Sequence, residues 1–452
     1  MPKHTSSATR RQFLATLPTL YSLPALSSLI HFNLTNAVLA EQPPTSDYKA
    51  LVCVFLKGGN DSYNMLIPAE AEEYALYKKV RGNKSLALKD CHSIKDPNSG
   101  KSYALHPSLK GLHELYQKKS LSLIANIGTL IQPSTVKDIR EHTFVPQGLY
   151  SHYEQQVAWQ SSIPQRNTRT GWIGRVTDLL NSSQEHFLGN SMSMNGNNLL
   201  QTGFQTSPYF HSPTSQRIAS KIDPLFMQSH GTLESHYDNI LKQQYAYTQS
   251  QAHDQIEAYQ RLIGQTSLQT PFPSSSLGKQ LREVALVMNA RRQLNAPRQT
   301  FYVSVSGYDT HERLLGQHEK LMRELNDALV AFQNALHEMQ LQKNVITYTA
   351  SEFGRTLTGN TLGTDHGWGG NALVMGDAMK GGQILGEYPE NLDEGGQTNL
   401  GRGRQLPTTS VDLLHGALAQ WYGVPNDSTM EAILPNIRNF WAKGSPSPLQ
   451  LV

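Results

Sequence analysis

The stretch ALVCVFLKGGND, residues 50–61, indicates what kind of sheet lies at the centre of the protein. Its apolar residues run without interruption from Ala50 to Leu56, and two glycines follow Lys57. A strand buried on both faces has this pattern, whereas a strand with one solvated face alternates apolar and polar residues. The glycines permit a tight turn where the strand ends. We therefore predict a central strand that leads into a loop carrying Asp61.

Further apolar runs of the same kind alternate with long segments of helical periodicity. This alternation predicts an α/β fold with a mainly parallel central sheet and helices on both faces. In such sheets functional groups gather at the carboxyl ends of the strands. The other strands are SLSLIANIG (120–128), QTFYVSVSG (299–307), NVITYTAS (344–351) and NALVMG (371–376), and the helices are SLKGLHELYQKK (108–119) and HEKLMRELNDALVAFQNALHEMQLQ (318–342).

Residues 178–298 differ from the rest in composition, since they are rich in Gln, Ser, Asn and Tyr. Helical stretches such as ESHYDNILKQQYAYTQSQAHDQIEAYQRLI predict a mostly helical insertion. The Ser/Pro-rich segment TPFPSSS (270–276) marks its end. We expect a single domain over residues 48–452 that contains this insertion.

The N-terminal residues predict export. TRRQFL is followed by an uncharged apolar run that ends in Val-Leu-Ala at position 40, which resembles a twin-arginine signal peptide. The linker EQPPTSD (41–47) comes next. We expect the twin-arginine export machinery as a partner, a periplasmic or otherwise exported location, and no stable transmembrane segment after processing. That route carries folded proteins, so a metal ion acquired in the cytoplasm is compatible with it.

Composition narrows the partners and the redox chemistry. The 452 residues carry a formal net charge of +3, and no Lys/Arg cluster stands out beyond the N-terminus, so we expect no nucleic-acid partner. The two cysteines, Cys53 and Cys91, have no zinc-finger or CxxC spacing. Whether they pair is left open, since an oxidising compartment would permit a disulfide.

Acidic and histidine side chains follow several predicted strands. GGNDSYN follows the first strand, SGYDTH the third and SEFGRT the fourth, with GTDHGWGG shortly after. Carboxylates and imidazoles from several strand ends form the mixed oxygen and nitrogen site that suits Zn²⁺, Mn²⁺ or Mg²⁺. Each one singly is also typical of a turn or a helix cap. The candidate ligands are Asp61, Asp309, His311, Glu352, Asp365 and His366.

Ser151 in YSHYEQQVAWQ (150–160) is a candidate nucleophile at the start of a predicted helix. The simpler interpretation is that it only caps the helix. Backbone N–H groups at a helix N-terminus also stabilise an anion, and a nearby metal ion would activate the hydroxyl. A serine esterase using Ser151 with His142 or His152 is a weaker alternative, since no GxSxG motif is present. Rival nucleophiles are Ser62, Thr129 and Ser134.

These motifs together resemble the exported bacterial domain-of-unknown-function family 1501, from about residue 48 to 424. The quoted motifs, with ALHPSLKGL and RTGWIGR, occur in the family's order. The family is placed in the alkaline phosphatase/sulfatase-like superfamily, which implies two metal ions at strand ends around a hydroxyl or thiol nucleophile. The order of site residues along superfamily chains implies two ligand sets here. One metal ion would be held by Asp61, Ser151 and Glu352. The other would be held by Asp309, His311 and His366, with Asp365 beside or in place of His366.

The resemblance implies an exported metal-dependent hydrolase or transferase of phosphate or sulfate esters, with a small-molecule or glycan-type anionic ester as substrate. One or two divalent cations would polarise the ester, and Arg355 or Asn64 would hold its remaining oxygens. Many superfamily members carry Asp-His where this chain has Glu352-Phe353, so one imidazole is missing from the expected pattern. This departure favours the alternative of a non-catalytic ligand-binding or envelope-assembly protein on a degenerate hydrolase scaffold.

Overall fold

The computed structural model describes residues 48–180, 190–213 and 259–452. Within them a nine-stranded main sheet has the order β11-β5-β10-β9-β1-β8-β6-β7, with β12 against β5. A smaller antiparallel sheet has the order β2-β4-β3. The strands are β1 (Lys49–Lys57), β2 (Leu66–Pro68), β3 (His92–Lys95), β4 (Ser102–Leu105), β5 (Leu121–Gly128), β6 (Ser191–Ser193), β7 (Tyr209–Phe210), β8 (Arg298–Ser306), β9 (Val345–Ala350), β10 (Gly370–Met375), β11 (Ile384–Leu385) and β12 (Thr409–Ser410).

The strand β1 lies in the interior of the main sheet, as its uninterrupted apolar sequence predicts. It pairs in parallel with β8 on one side and with β9 on the other. Strand β10 is antiparallel to both β9 and β5, so the sheet is mixed but mainly parallel. All five strands predicted from the sequence are present, and the α/β fold class is confirmed.

Helices cover both faces of the main sheet, and alternate residues of β1 pack under each layer. Val52 and Val54 contribute to one core with α6 and α7, while Leu51 and Phe55 contribute to the other with α5 and α8. Burying each such side chain contributes about 1.5–3 kcal/mol. The helices are α1 (Ala71–Arg81), α2 (Lys110–Gln117), α3 (Val136–Arg140), α4 (His152–Ser161), α5 (Trp172–Leu180), α6 (Ser276–Asn289), α7 (Leu314–Glu338), α8 (Val411–Tyr422) and α9 (Ser428–Ile433).

The segment predicted as a helical insertion, 178–298, lies partly outside the described residues. The described part between 190 and 213 contains β6 and β7, which extend the main sheet beyond β8. Helix α6 packs against β8 within the same core. These pieces therefore belong to the main α/β unit, and the helical prediction for 214–258 lies outside the described residues.

Two further features concern the hydrophobicity of the helices and the state of the cysteines. No helix in the described part of the chain has the length and apolar character needed to cross a bilayer. Cys53 is buried in β1 and Cys91 is half-buried, and both thiols are free. Burial raises the pKa of Cys53 to about 12, so this thiol stays protonated.

Asp412, fully buried near the start of α8, predicts a pH-dependent stability. Burial raises its pKa to about 7, although the Ser410 hydroxyl and the charge of Arg175 favour the carboxylate. Between the unfolded value of roughly 3.9 and this folded value the native state holds a proton that the unfolded chain releases. The free energy of unfolding therefore falls as pH rises through this window, by about 2–3 kcal/mol between pH ~5 and pH ~8.

Urea unfolding of the wild type and Asp412→Asn at both pH values measures this effect. The asparagine variant should lose that pH-dependent contribution and be the more stable protein at pH ~8. An unchanged pH dependence in the variant would show that Asp412 is not the group responsible.

Candidate metal centre

Three neighbouring strands bring the candidate residues together. Because β1, β8 and β9 are parallel and adjacent, their carboxyl ends meet at one edge of the sheet. Gly58, just after β1, has φ +122°, and a Cβ at this position would lie 2.3 Å from the backbone nitrogen of Asp309. Its N–H donates to Oε1 of Glu352 at 2.8 Å. The glycine predicted to permit a tight turn thus lets three strand ends approach closely.

Asp309 is the hub of the site. Its Oδ1 accepts from the Arg355 guanidinium at 2.5 Å and lies 3.0 Å from His311 Nε2 and 3.3 Å from His366 Nε2. Its Oδ2 lies 3.4 Å from His152 Nε2. Burial alone would raise the pKa of Asp309, but the bond and charge of Arg355 outweigh it and hold the pKa below its usual value. Asp309 is therefore a carboxylate surrounded by imidazoles.

His152 joins the site from the first turn of helix α4. Its Nδ1 lies 2.9 Å from Oε1 of Glu352, which leaves Nε2 directed toward Asp309. The hydrogen bond with Glu352 raises the pKa of His152 against the effect of its partial burial. The sequence indicates this residue only as a partner of Ser151, because nothing in the local pattern links residue 152 to a strand end.

His366 is held by the backbone carbonyl of Tyr150. Its Nδ1 lies 2.8 Å from the carbonyl oxygen of Tyr150, which has φ +76°, a left-handed value that is rare for a tyrosine. Partial burial lowers the pKa of His366, although the bond to Tyr150 opposes the shift. The carbonyl bond fixes the ring and leaves Nε2 directed at Asp309 and His311.

One atom each from His152, Asp309 and His366 lies within 4.8 Å of the other two. Two imidazole nitrogens and a carboxylate oxygen are a usual ligand set for Zn²⁺ in sites that keep an open position. Within the residues that the structure describes, these are the side chains that meet in this way. The residues present therefore fit a single divalent cation.

Glu352 stands behind this group. Its Oε1 accepts from Gly58 and Gln156 and contacts His152, while Oε2 is buried without a hydrogen-bond partner. A carboxylate that orients a ligating imidazole is a common support in metal sites. A buried carboxylate oxygen without a partner is costly, and a bound cation nearby would offset that cost.

Phe353 packs beside both imidazoles of the candidate ligand group. Its ring lies 5.0 Å from that of His152 and 4.6 Å from that of His366 between ring centroids. The sequence suggested that this position lacks an expected imidazole. The structure brings an imidazole beside it from helix α4 instead.

Asp365 and His311 form the outer part of the site. Asp365 forms an ion pair with Arg402, and its Oδ1 lies 3.4 Å from Nδ1 of His311. Burial raises the pKa of Asp365, but the hydrogen bonds from Asn360 and Arg402 and the charge of Arg402 together lower it by more. The pKa therefore lies below its usual value, and the carboxylate form is favoured. Both residues were predicted as ligands, and both lie near His152, Asp309 and His366 without belonging to the group of three ligand atoms that these residues form.

Asp61 is drawn into a different contact. Its carboxylate forms an ion pair with Arg81, and both side chains are completely buried. The other carboxylate oxygen has no partner. The structure therefore brings five of the six predicted ligands, Asp309 among them, together at one edge of the sheet. The sixth, Asp61, forms a buried ion pair instead.

Asn64 and Arg355, predicted to hold ester oxygens, already have protein partners. Asn64 donates to the Lys84 carbonyl at 3.0 Å and accepts from the Tyr77 hydroxyl at 2.7 Å. Both Nη groups of Arg355 donate to protein oxygens, which include Asp309 and the carbonyl of Gly58. Arg355 is thus positioned to hold Asp309.

Ser151 is the N-cap residue of α4, as predicted, but its hydroxyl does not cap the helix backbone. The hydroxyl donates to the carboxylate of Glu154 instead. Ser151 directly precedes His152, so the candidate nucleophile and a candidate ligand share one turn of chain.

The fold and the site together define an α/β protein with a candidate metal centre at the carboxyl ends of parallel strands. The chain belongs to the family described as Protein of unknown function (DUF1501), whose model matches residues 48–399. The family resemblance of its motifs is thereby confirmed over most of the chain. No curated protein matches the sequence.

Solved structures of the alkaline phosphatase/sulfatase-like superfamily are similar to the chain. The C-terminal periplasmic domain of EcEptC from Escherichia coli, a complex with Zn, has 9% identity and a TM-score of 0.33, over 74% of this chain and 75% of that one. The lipoteichoic acid synthase LtaP from Listeria monocytogenes has 8% identity and a TM-score of 0.34, over 83% and 81%. The phosphonate monoester hydrolase SpPMH from Silicibacter pomeroyi has 11% identity and a TM-score of 0.31, over 84% and 74%.

Proposed function

We propose that the protein is a metal-dependent hydrolase or transferase of phosphate or sulfate esters that uses one divalent cation. The observation that carries the proposal is the convergence of His152, Asp309 and His366 within 4.8 Å at the strand ends. We also propose that it is exported by the twin-arginine route, on the strength of residues 1–40.

The surrounding residues hold the three ligands in place. Glu352 orients His152, the Tyr150 carbonyl orients His366, and Arg355 orients Asp309. A bound cation would polarise an ester oxygen and offset the negative charge that develops on it. The exposed side of Asp309, 41% accessible, leaves room for a ligand from solvent.

Ser151 is the proposed nucleophile. Its Oγ forms the bond to phosphorus or sulfur while the bond to the alcohol oxygen breaks. Glu154 already accepts the hydrogen bond of this hydroxyl, so it receives the proton and returns one to the departing alkoxide. Water or a second alcohol then attacks the phosphorus or sulfur, the bond to Ser151 Oγ breaks, and the proton of the attacking group passes through Glu154 to that Oγ. The choice of acceptor separates a hydrolase from a transferase.

A non-catalytic ligand-binding protein is the second candidate function, and Asp61 favours it. The two-metal mapping requires this carboxylate as a ligand, but here it pairs with Arg81 in the protein interior. A scaffold that has lost one metal set can retain the other for binding alone.

A metal and turnover assay tests these alternatives. Zinc-loaded protein, freed of excess metal, should hold about one zinc and turn over p-nitrophenyl phosphate, its diester or the sulfate ester. Ser151→Ala should lower turnover at least about 100-fold and leave zinc affinity within about twofold. Ser99→Ala, which removes another hydroxyl bonded to a carboxylate, should leave turnover unchanged.

The outcomes separate the alternatives. Protein that binds no zinc contradicts both the proposed enzyme and its metal centre. Zinc binding without turnover of any ester would favour the ligand-binding alternative. Turnover that survives Ser151→Ala would remove the serine from its role and leave water as the attacking group.

A further inference from the structure

Two arginines of one short turn, residues 401–404, lie at the rim of the candidate site: Arg402 and Arg404. The Arg402 guanidinium is engaged by the carboxylate of Asp365. Arg404 donates from Nε to the carbonyl of His366 at 3.3 Å. Its guanidinium carbon also lies 4.8 Å from the centre of the Tyr150 ring. The two side chains thus occupy different environments although they lie two residues apart.

Arg404 differs from Arg355 and Arg402 in the hydrogen-bonding capacity that its two Nη groups keep. Both Nη groups of Arg355 and one of Arg402 already contact protein oxygens. In the described part of the chain, neither Nη group of Arg404 has a protein partner, since its contacts are the Nε bond and the Tyr150 ring. A half-buried guanidinium therefore presents its two terminal donors to solvent.

Arg404 contacts two residues of the candidate site, the backbone carbonyl of His366 and the ring of Tyr150. His366 is a candidate ligand, and the Tyr150 carbonyl holds its imidazole. A guanidinium that contacts both residues is held at the rim of the candidate site, and its contact with the Tyr150 ring restricts its rotation. A planar pair of N–H donors matches two oxygens of a tetrahedral anion.

We infer that Arg404 binds the phosphoryl or sulfuryl oxygens of the ester, a role that the family resemblance implied for Arg355 or Asn64. The inference rests on the proposed function and assigns its substrate recognition to a residue outside the ligand group. Phosphate and sulfate share the required chemistry, so separate titrations with inorganic phosphate and inorganic sulfate distinguish them.

Calorimetry on the zinc-loaded full chain tests this role. Arg404→Ala should weaken binding of at least one of the two anions by about tenfold to hundredfold, the range for a bond between charged groups. Zinc affinity, measured without anion, should stay within about twofold. Arg404→Lys keeps the positive charge but lacks the planar pair of N–H donors. Its anion affinity should lie between that of the wild type and that of Arg404→Ala. Arg323→Ala removes an exposed arginine of α7 that pairs with Glu319, and it should bind anions like the wild type.

The possible failures are distinguishable. Wild-type anion affinity in an Arg404→Ala protein that still binds zinc would overturn this inference and leave the proposed function standing. A parallel loss of zinc affinity would also overturn it, because Arg404 would then act only by positioning His366. Absence of zinc binding in the wild type would instead contradict the proposed function.

Discussion

Asp309→Asn should lose zinc affinity by at least about 100-fold, with ester turnover falling in parallel. Loss of a group that only supports a ligand already costs 10–100-fold in metal affinity, so loss of a ligand's charge should cost at least as much. The asparagine keeps the shape and can still accept a bond from Arg355, which is completely buried. Zinc titration by calorimetry, with circular dichroism to verify folding, measures the effect.

Asp365→Asn is the matched control for that variant. Asp365 is also an acid at the same edge of the sheet, but it pairs with Arg402 and stands outside the three-atom group. Its zinc affinity should stay within about threefold of wild type. Equal losses in the two variants would show that general negative charge, rather than ligation by Asp309, holds the ion.

Asp61→Asn should lower the free energy of unfolding by about 3–5 kcal/mol, since it leaves the buried guanidinium of Arg81 without its counter-charge. The side chains of this pair are both 0% exposed. The carbonyls of Thr356 and Leu357, at 3.3 and 3.5 Å from Arg81 Nη1, provide only partial compensation. Urea unfolding gives the change, and zinc affinity should remain that of the wild type.

Glu319→Gln provides the comparison for this loss. Glu319 pairs with Arg323 on the surface of α7, where the side chains are 53% and 61% exposed. Removing such a pair should cost about 0.5 kcal/mol or less. If Asp61→Asn instead kept its stability and lost zinc, Asp61 would be the metal ligand that the superfamily order implied.

The sheet and the edge that carries the candidate site were predictable because they depend on local signals. An apolar run without alternation indicates burial on both faces, and Val52 and Leu51 do lie under opposite helical layers. Parallel strands direct their carboxyl ends to one edge, which explains why Asp309 and Glu352 meet there. The order of the residues along the chain was sufficient for this inference.

The partners of those residues were not predictable, since they depend on packing between distant segments. Arg81 lies in the basic last turn of α1, a position typical of a solvated cation, yet it is turned inward onto Asp61. His152 follows a helix cap, and its contact with Glu352 joins residues 200 positions apart. No periodicity in the sequence encodes either contact.

The ring of Phe353 couples the orientations of the His152 and His366 imidazoles, because it packs against both. Its ring keeps His152 and His366 in contact with an apolar surface on one side, while their own rings meet edge to face at 4.4 Å. An aliphatic side chain of smaller volume would leave a gap that lets either ring change rotamer. Phe353 therefore supports both imidazoles at once, so a smaller side chain at this position should loosen His152 and His366 together rather than one of them alone.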